Sequence, residues 1–122
     1  MKRLSVNHIK QMHRLIIAET GGSSGVRSEE LLDSAVNLPF QTFDGVPLYK
    51  TVESKAAILG YSLIKNHPFI DGNKRTAMMT MLLFLELNGA RRDCTDEEII
   101  SIGLALADGS MDQKSLLNWI LG

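Results

Sequence analysis

A chain of 122 residues with 13 Lys and Arg against 14 Asp and Glu carries a formal charge of −1, which excludes a general nucleic-acid binder with its basic footprint. The length suits one domain spanning residues 1–122. The single cysteine, Cys94, excludes an intrachain disulfide and fits a reducing cytoplasm, and no basic-then-apolar leader opens the chain.

Low proline content and frequent Leu, Ile, Met and Ala predict helix. Ser5 caps a first helix with Ile9, Met12 and Ile16 on one face, and Gly21-Gly22 ends it. His8 and His13 on this helix read as surface or structural residues, His13 being the closer to the apolar face. Gly21 to Gly25 reads as a plain connector. Ser28, followed by Glu29 and Glu30, starts a second helix that stops before Pro39.

Residues Leu38 to Lys50 are the least helical segment. Asp44-Gly45 between apolar residues signals a hairpin, and Pro47 restricts it to an edge. Phe40 and Phe43 are expected to tuck into the core. In the functional reading, Phe43, Asp44, Gly45 and Val46 form a flap whose open edge holds an extended segment of a protein substrate.

Thr51 or Ser54 starts a third helix, which ends by His67 because Pro68 disfavours helical geometry at the residue before it. A fourth runs from about Asn73 to Asn88, followed by Gly89. Its run from Met78 to Leu87, broken by Thr80 and Glu86, falls short of the ~20 residues of a membrane span. Apolar at nearly every angle, it is expected to be the buried axis of the fold. Arg91-Arg92-Asp93 reads as a solvated loop. Thr95-Asp96-Glu97-Glu98 is a capping box opening a fifth helix that ends at Asp108-Gly109. Ser110 or Asp112 caps a last helix carrying Leu116, Leu117 and Ile120, with Trp119 closing the core. The fold class is all-α: a compact bundle of about six helices with a short non-helical flap.

The chemistry concentrates in His67-Pro68-Phe69-Ile70-Asp71-Gly72-Asn73-Lys74-Arg75-Thr76-Ala77. Free N–H groups and the dipole make a helix start a phosphate site. Gly72 allows a sharp turn close to a ligand. Lys74 and Arg75 add charge, and Asp71 suits a hard Mg²⁺ ligand that bridges to phosphates. Asn73 orients either the turn or a phosphate oxygen. Phe69 anchors the loop, and a neutral His67 can take a proton from an attacking hydroxyl. These are parts for phosphoryl or nucleotidyl transfer.

The same stretch resembles the signature of the Fic/Doc family, His-x-Phe-x-Asp/Glu-Gly-Asn-Gly-Arg-x-x-Arg, in its Doc (death-on-curing) branch. Lys74 stands at the second glycine of that pattern and Met78 at its second arginine, and both departures are those of Doc proteins. Gly21-Gly22, Gly25-Val26-Arg27 and Asn88-Gly89 are also similar to Doc sequences. The resemblance implies a Fic fold and a toxin of a toxin–antitoxin system. It implies His67 as the catalytic base and Asp71 as the Mg²⁺ ligand. Gly72, Asn73, Lys74 and Arg75 would bind phosphate, with Lys65 as a secondary candidate. It implies transfer of the γ-phosphate of ATP to a hydroxyl of translation elongation factor Tu, which blocks translation, and a flap at Phe40 to Tyr49 that docks the target. Lys74 would fill the pocket that glycine leaves for the inner phosphates in AMP-transferring Fic enzymes. No self-inhibitory Ser/Thr-x-x-x-Glu-Gly/Asn helix is found, so inhibition is expected from a Phd-like antitoxin. The alternatives are Fic-type AMP transfer and a non-catalytic partner in a toxin–antitoxin complex.

Overall fold

Helix starts follow the short polar residues. In the computed structural model, which describes residues 1–122, α1 (Val6–Thr20) is capped by Ser5, whose hydroxyl accepts the His8 N–H while the His8 ring accepts the Ser5 N–H. Ser28 caps α2 (Glu29–Asn37), and Thr51 with Ser54 closes a reciprocal box on α3 (Val52–Asn66). Next, α4 (Asn73–Leu87) follows Gly72, which has no side chain to offer. Thr95 and Glu98 close the box on α5 (Asp96–Asp108), and Asp112 caps α6 (Gln113–Leu121). Each capping oxygen satisfies an N–H that the helix itself leaves unpaired.

The core forms where α3 meets α4. Ala56, Ala57, Leu59 and Leu63 face Ala77, Met78, Met81 and Phe84 within one buried cluster. Gly60 permits the close approach: a Cβ there would lie 2.9 Å from the Met81 sulfur. The expected axis is therefore shared. α3 also packs on α2, α5, α6 and a 3₁₀ turn at Leu38–Phe40, while α4 packs on α1 and α5. Surrounding of α4 is incomplete, since Met79 and Leu87 stay more than a third exposed. A domain this small has too few elements to wrap a helix on every side. The small side chains of α3 let its neighbours close in instead.

The flap is the expected hairpin: β1 (Thr42–Phe43) pairs antiparallel with β2 (Val46–Pro47), Phe43 opposite Val46. Asp44 (φ 51°) and Gly45 (φ 75°) supply the two left-handed turn residues that match strand twist. Phe40 packs edge-on against Phe84, with ring centroids 6.1 Å apart. Phe43 does not tuck in; it is 71% exposed, because no second layer covers the two-residue strand. The buried Lys55 ammonium donates to the Tyr49 carbonyl and so ties the end of the flap to α3.

Arg92 also departs from expectation. Its guanidinium lies 4.3 Å from the Trp119 ring centroid and donates to the Trp119 carbonyl, so only Arg91 and Asp93 remain a solvated pair. Trp119 is half-buried against the core beneath it. No helix is long and apolar enough to cross a membrane.

Candidate active site at the start of α4

Pro68 stops α3, and His67 takes up the change of direction in left-handed geometry (φ 49°, ψ 55°). For a residue with a Cβ that costs about 1–2 kcal/mol, so neighbours must hold it. Residues 25–28 run beside the loop and do so. The Ile70 N–H donates to the Gly25 carbonyl, and the Arg27 and Ser28 N–H groups donate to the Pro68 carbonyl. Arg27 Nε donates to His67 O at 2.6 Å and Nη2 to Asn66 O at 2.7 Å.

From beneath, Phe69 anchors the loop as expected. Its ring is 1% exposed and stacks on His13, with centroids 3.9 Å apart. His13 is buried outright, and its Nε2 carries the proton and donates to the Asp71 carbonyl at 2.7 Å. Asn73 takes the turn-orienting role. Its Oδ1 accepts the Phe69 N–H at 2.9 Å and its Nδ2 donates to the Phe69 carbonyl at 2.8 Å, which leaves the buried amide engaged at both ends. Gly72 (φ 77°) takes a left-handed conformation that a side chain would strain, and a Cβ there would also crowd Ile17 Cδ1 at 3.0 Å.

What faces outward is free. The His67 ring is exposed and makes no hydrogen bond. Lys65, Lys74 and Arg75 have no carboxylate partner; the three ion pairs of the molecule lie elsewhere. The first-turn N–H groups of α4 meet no side-chain acceptor. Lys65, His67, Asp71, Gly72, Asn73 and Lys74 line one cavity of about 520 Å³, closed by Ile64, Ile70 and Ala107. Arg75 opens instead onto a neighbouring cleft of about 240 Å³ with Ile99, Ile100 and Leu104, shared with Gly72, Asn73 and Lys74. Phe43, Asp44, Gly45 and Val46 line neither.

The donor set bears on a cation. No group of three or more His, Cys, Asp or Glu side chains comes together, so an all-protein cage is not formed. Asp71 presents one carboxylate, with Oδ2 already accepting the Ser23 N–H at 2.7 Å. A lone carboxylate fits Mg²⁺, which keeps waters and shares its shell with phosphate oxygens. The uncapped helix end with two cations fits the phosphates themselves.

A sequence model of the Fic/DOC family matches residues 3–85, more than half of the chain. The chain belongs to the Fic/DOC family. It is also 46% identical over 71 residues to Toxin Doc of Mycolicibacterium smegmatis, a similarity covering 58% of this chain and 55% of that protein. The chain thus spans a little over half the length of this curated relative.

The family match takes in α1 to most of α4 but not α5 or α6. The apolar wall beside Arg75, from Ile99, Ile100 and Leu104, lies on α5, outside the matched span. Within the matched span, three residues that hold the site carry little signal in the sequence. His13 reads like any helical histidine, its nearness to the apolar face being its one signal. Ser23 acts through a backbone N–H, which has no side-chain signature. Arg27 lies in a segment similar to Doc sequences, and that similarity alone assigns it no task.

Proposed function

We propose that this Fic/DOC protein is a Doc-type toxin that transfers the γ-phosphate of ATP to a protein hydroxyl, with translation elongation factor Tu as target and a Phd-like antitoxin as its inhibitor. One observation carries the reading. The uncapped start of α4, flanked by Lys74 and Arg75, shares a cavity with the unpartnered imidazole of His67. The similarity to Toxin Doc supports the toxin role, and action beside the translation machinery implies the cytoplasm.

The roles follow from chemistry. ATP would supply the phosphoryl group, and a Mg²⁺ ion bound at Asp71 would supply charge neutralisation to its oxygens. The first-turn N–H groups, with Lys74 and Arg75, hold phosphate by dipole and charge. Asp71, steadied by the Ser23 N–H, would hold the cation. His67 accepts the proton of the target hydroxyl as its oxygen bonds to the γ-phosphorus and the bond to the leaving ADP oxygen breaks. Lys65 adds charge at the cavity wall. Asn73 keeps the loop in shape. The flap, with its exposed edge, is the surface offered to the target.

The test pairs α- and γ-labelled ATP with Mg²⁺ and a bacterial lysate as target pool. Label from the γ position on elongation factor Tu, lost in His67→Ala, is expected. Label from the α position assigns AMP transfer and overturns the kinase reading. No label from either, with growth arrest unchanged by His67→Ala, leaves a binding role only.

A further inference from the structure

We infer that Arg27 is a positioning residue for His67, an inference that rests on the transfer reading above. The end of α3 poses the problem: its last carbonyls have no N–H within the helix, and Pro68 cannot donate one. Arg27 answers both at once. Nε donates to His67 O at 2.6 Å and Nη2 to Asn66 O at 2.7 Å. A planar fork with donors fixed in one plane matches two adjacent carbonyls, and an ammonium does not. The cation also meets the negative end of the α3 dipole.

The consequence falls on the imidazole. The left-handed torsions of His67 set the direction of its Cα–Cβ bond and so where its ring hangs in the cavity. No other side chain bonds the Asn66 or His67 carbonyl. The base of the fork is itself fixed, since the Arg27 N–H donates to Pro68 O at 2.7 Å. Arg27 is exposed and lies in no ion pair, so truncating it opens no cavity and strands no charge. Separately, Asn66 Nδ2 donates to the Leu31 carbonyl, which keeps the end of α3 on α2 when Arg27 is gone. Among the residues lining the cavity Arg27 hydrogen-bonds only His67, and it does not line the cavity itself.

The test compares the full wild-type chain with Arg27→Ala and Arg27→Lys, by transfer from labelled ATP and by amide hydrogen exchange. In Arg27→Ala, kcat is expected to fall by about tenfold to a hundredfold with KM for ATP within about twofold of wild type, as misplacement of a reacting group does. Arg27→Lys stays near the Ala variant. Exchange at Phe69 and Ile70 speeds up, while the amides of α4 and α5 keep their wild-type rates. A wild-type kcat in Arg27→Ala, full recovery in Arg27→Lys, a rise in KM alone, or unchanged exchange at Phe69 and Ile70 overturns the inference. If the wild type itself transfers no label, the transfer reading fails on its own, and the exchange data alone decide whether Arg27 holds the loop.

Discussion

The starts of α4 and α5 are built from similar lengths of charged sequence and come out opposite. At α5, the Thr95 hydroxyl accepts the Glu98 N–H and Glu98 accepts the Thr95 N–H, both at 3.1 Å, and three acids occupy the first turn. Cap and dipole agree. At α4, Gly72 offers no cap, the first turn holds no acid, and Lys74 and Arg75 sit at the positive end. Each such cation costs a few tenths to about 1 kcal/mol relative to an acid there. The other five helix starts are capped, and in the proposed function the phosphates of ATP complete this one.

Predictions that test the contrast run from large to small. His67→Ala is expected to lower transfer by about 10²- to 10⁴-fold with an unchanged melting temperature, because the ring is exposed and unbonded. Near-normal labelling in that variant would remove His67 as the base. Asn73→Ala strands the buried N–H and carbonyl of Phe69 and should cost roughly 2–4 kcal/mol in urea unfolding. A loss below about 1 kcal/mol would mean that His13 and the segment 25–28 hold the turn unaided. Thr95→Ala should cost about 1 kcal/mol and leave transfer at the wild-type rate; a change in rate would tie the closed end to function.

Lys74→Glu should do the reverse, raising stability by up to about 1 kcal/mol while weakening ATP binding. An unchanged KM for ATP would place the phosphates elsewhere. The smallest effect is in acid. Hydrogen bonds from Ser115 hold the Asp112 carboxyl below its ordinary value of 3.8, so its contribution is complete above that value and is lost as pH falls through the lower folded one. Asp108 behaves alike through Ser110. Asp112→Asn should flatten the decline in melting temperature below pH 3.8; an unchanged slope there would show that the cap does not titrate with folding.

Much of this was written locally. Ser5, Ser28, Thr51, Thr95 and Asp112 mark helix starts because a cap is a bond to an N–H two or three residues on. Asp44-Gly45 marks its turn because few residues tolerate its torsions. The stretch His67–Ala77 carries the Fic/Doc-like signature in its residues, and the family match agrees with that resemblance. Exposure was less legible. Phe43 reads as a core residue until the absence of a covering layer is seen, and Arg92 reads as solvated until Trp119 arrives beneath it.

The sequence by itself determined the helices, the hairpin and the stretch on which the proposed function rests, since each depends on neighbours along the chain. Only the tertiary structure decided how that stretch is held. His13 lies 58 residues from the Asp71 carbonyl it bonds, and Arg27 lies 40 from His67. Bonds to backbone carbonyls leave no pattern in side-chain spacing, because every residue carries the acceptor. Which carbonyl is met, and by whom, is set by packing α1 and the segment 25–28 against the end of α3.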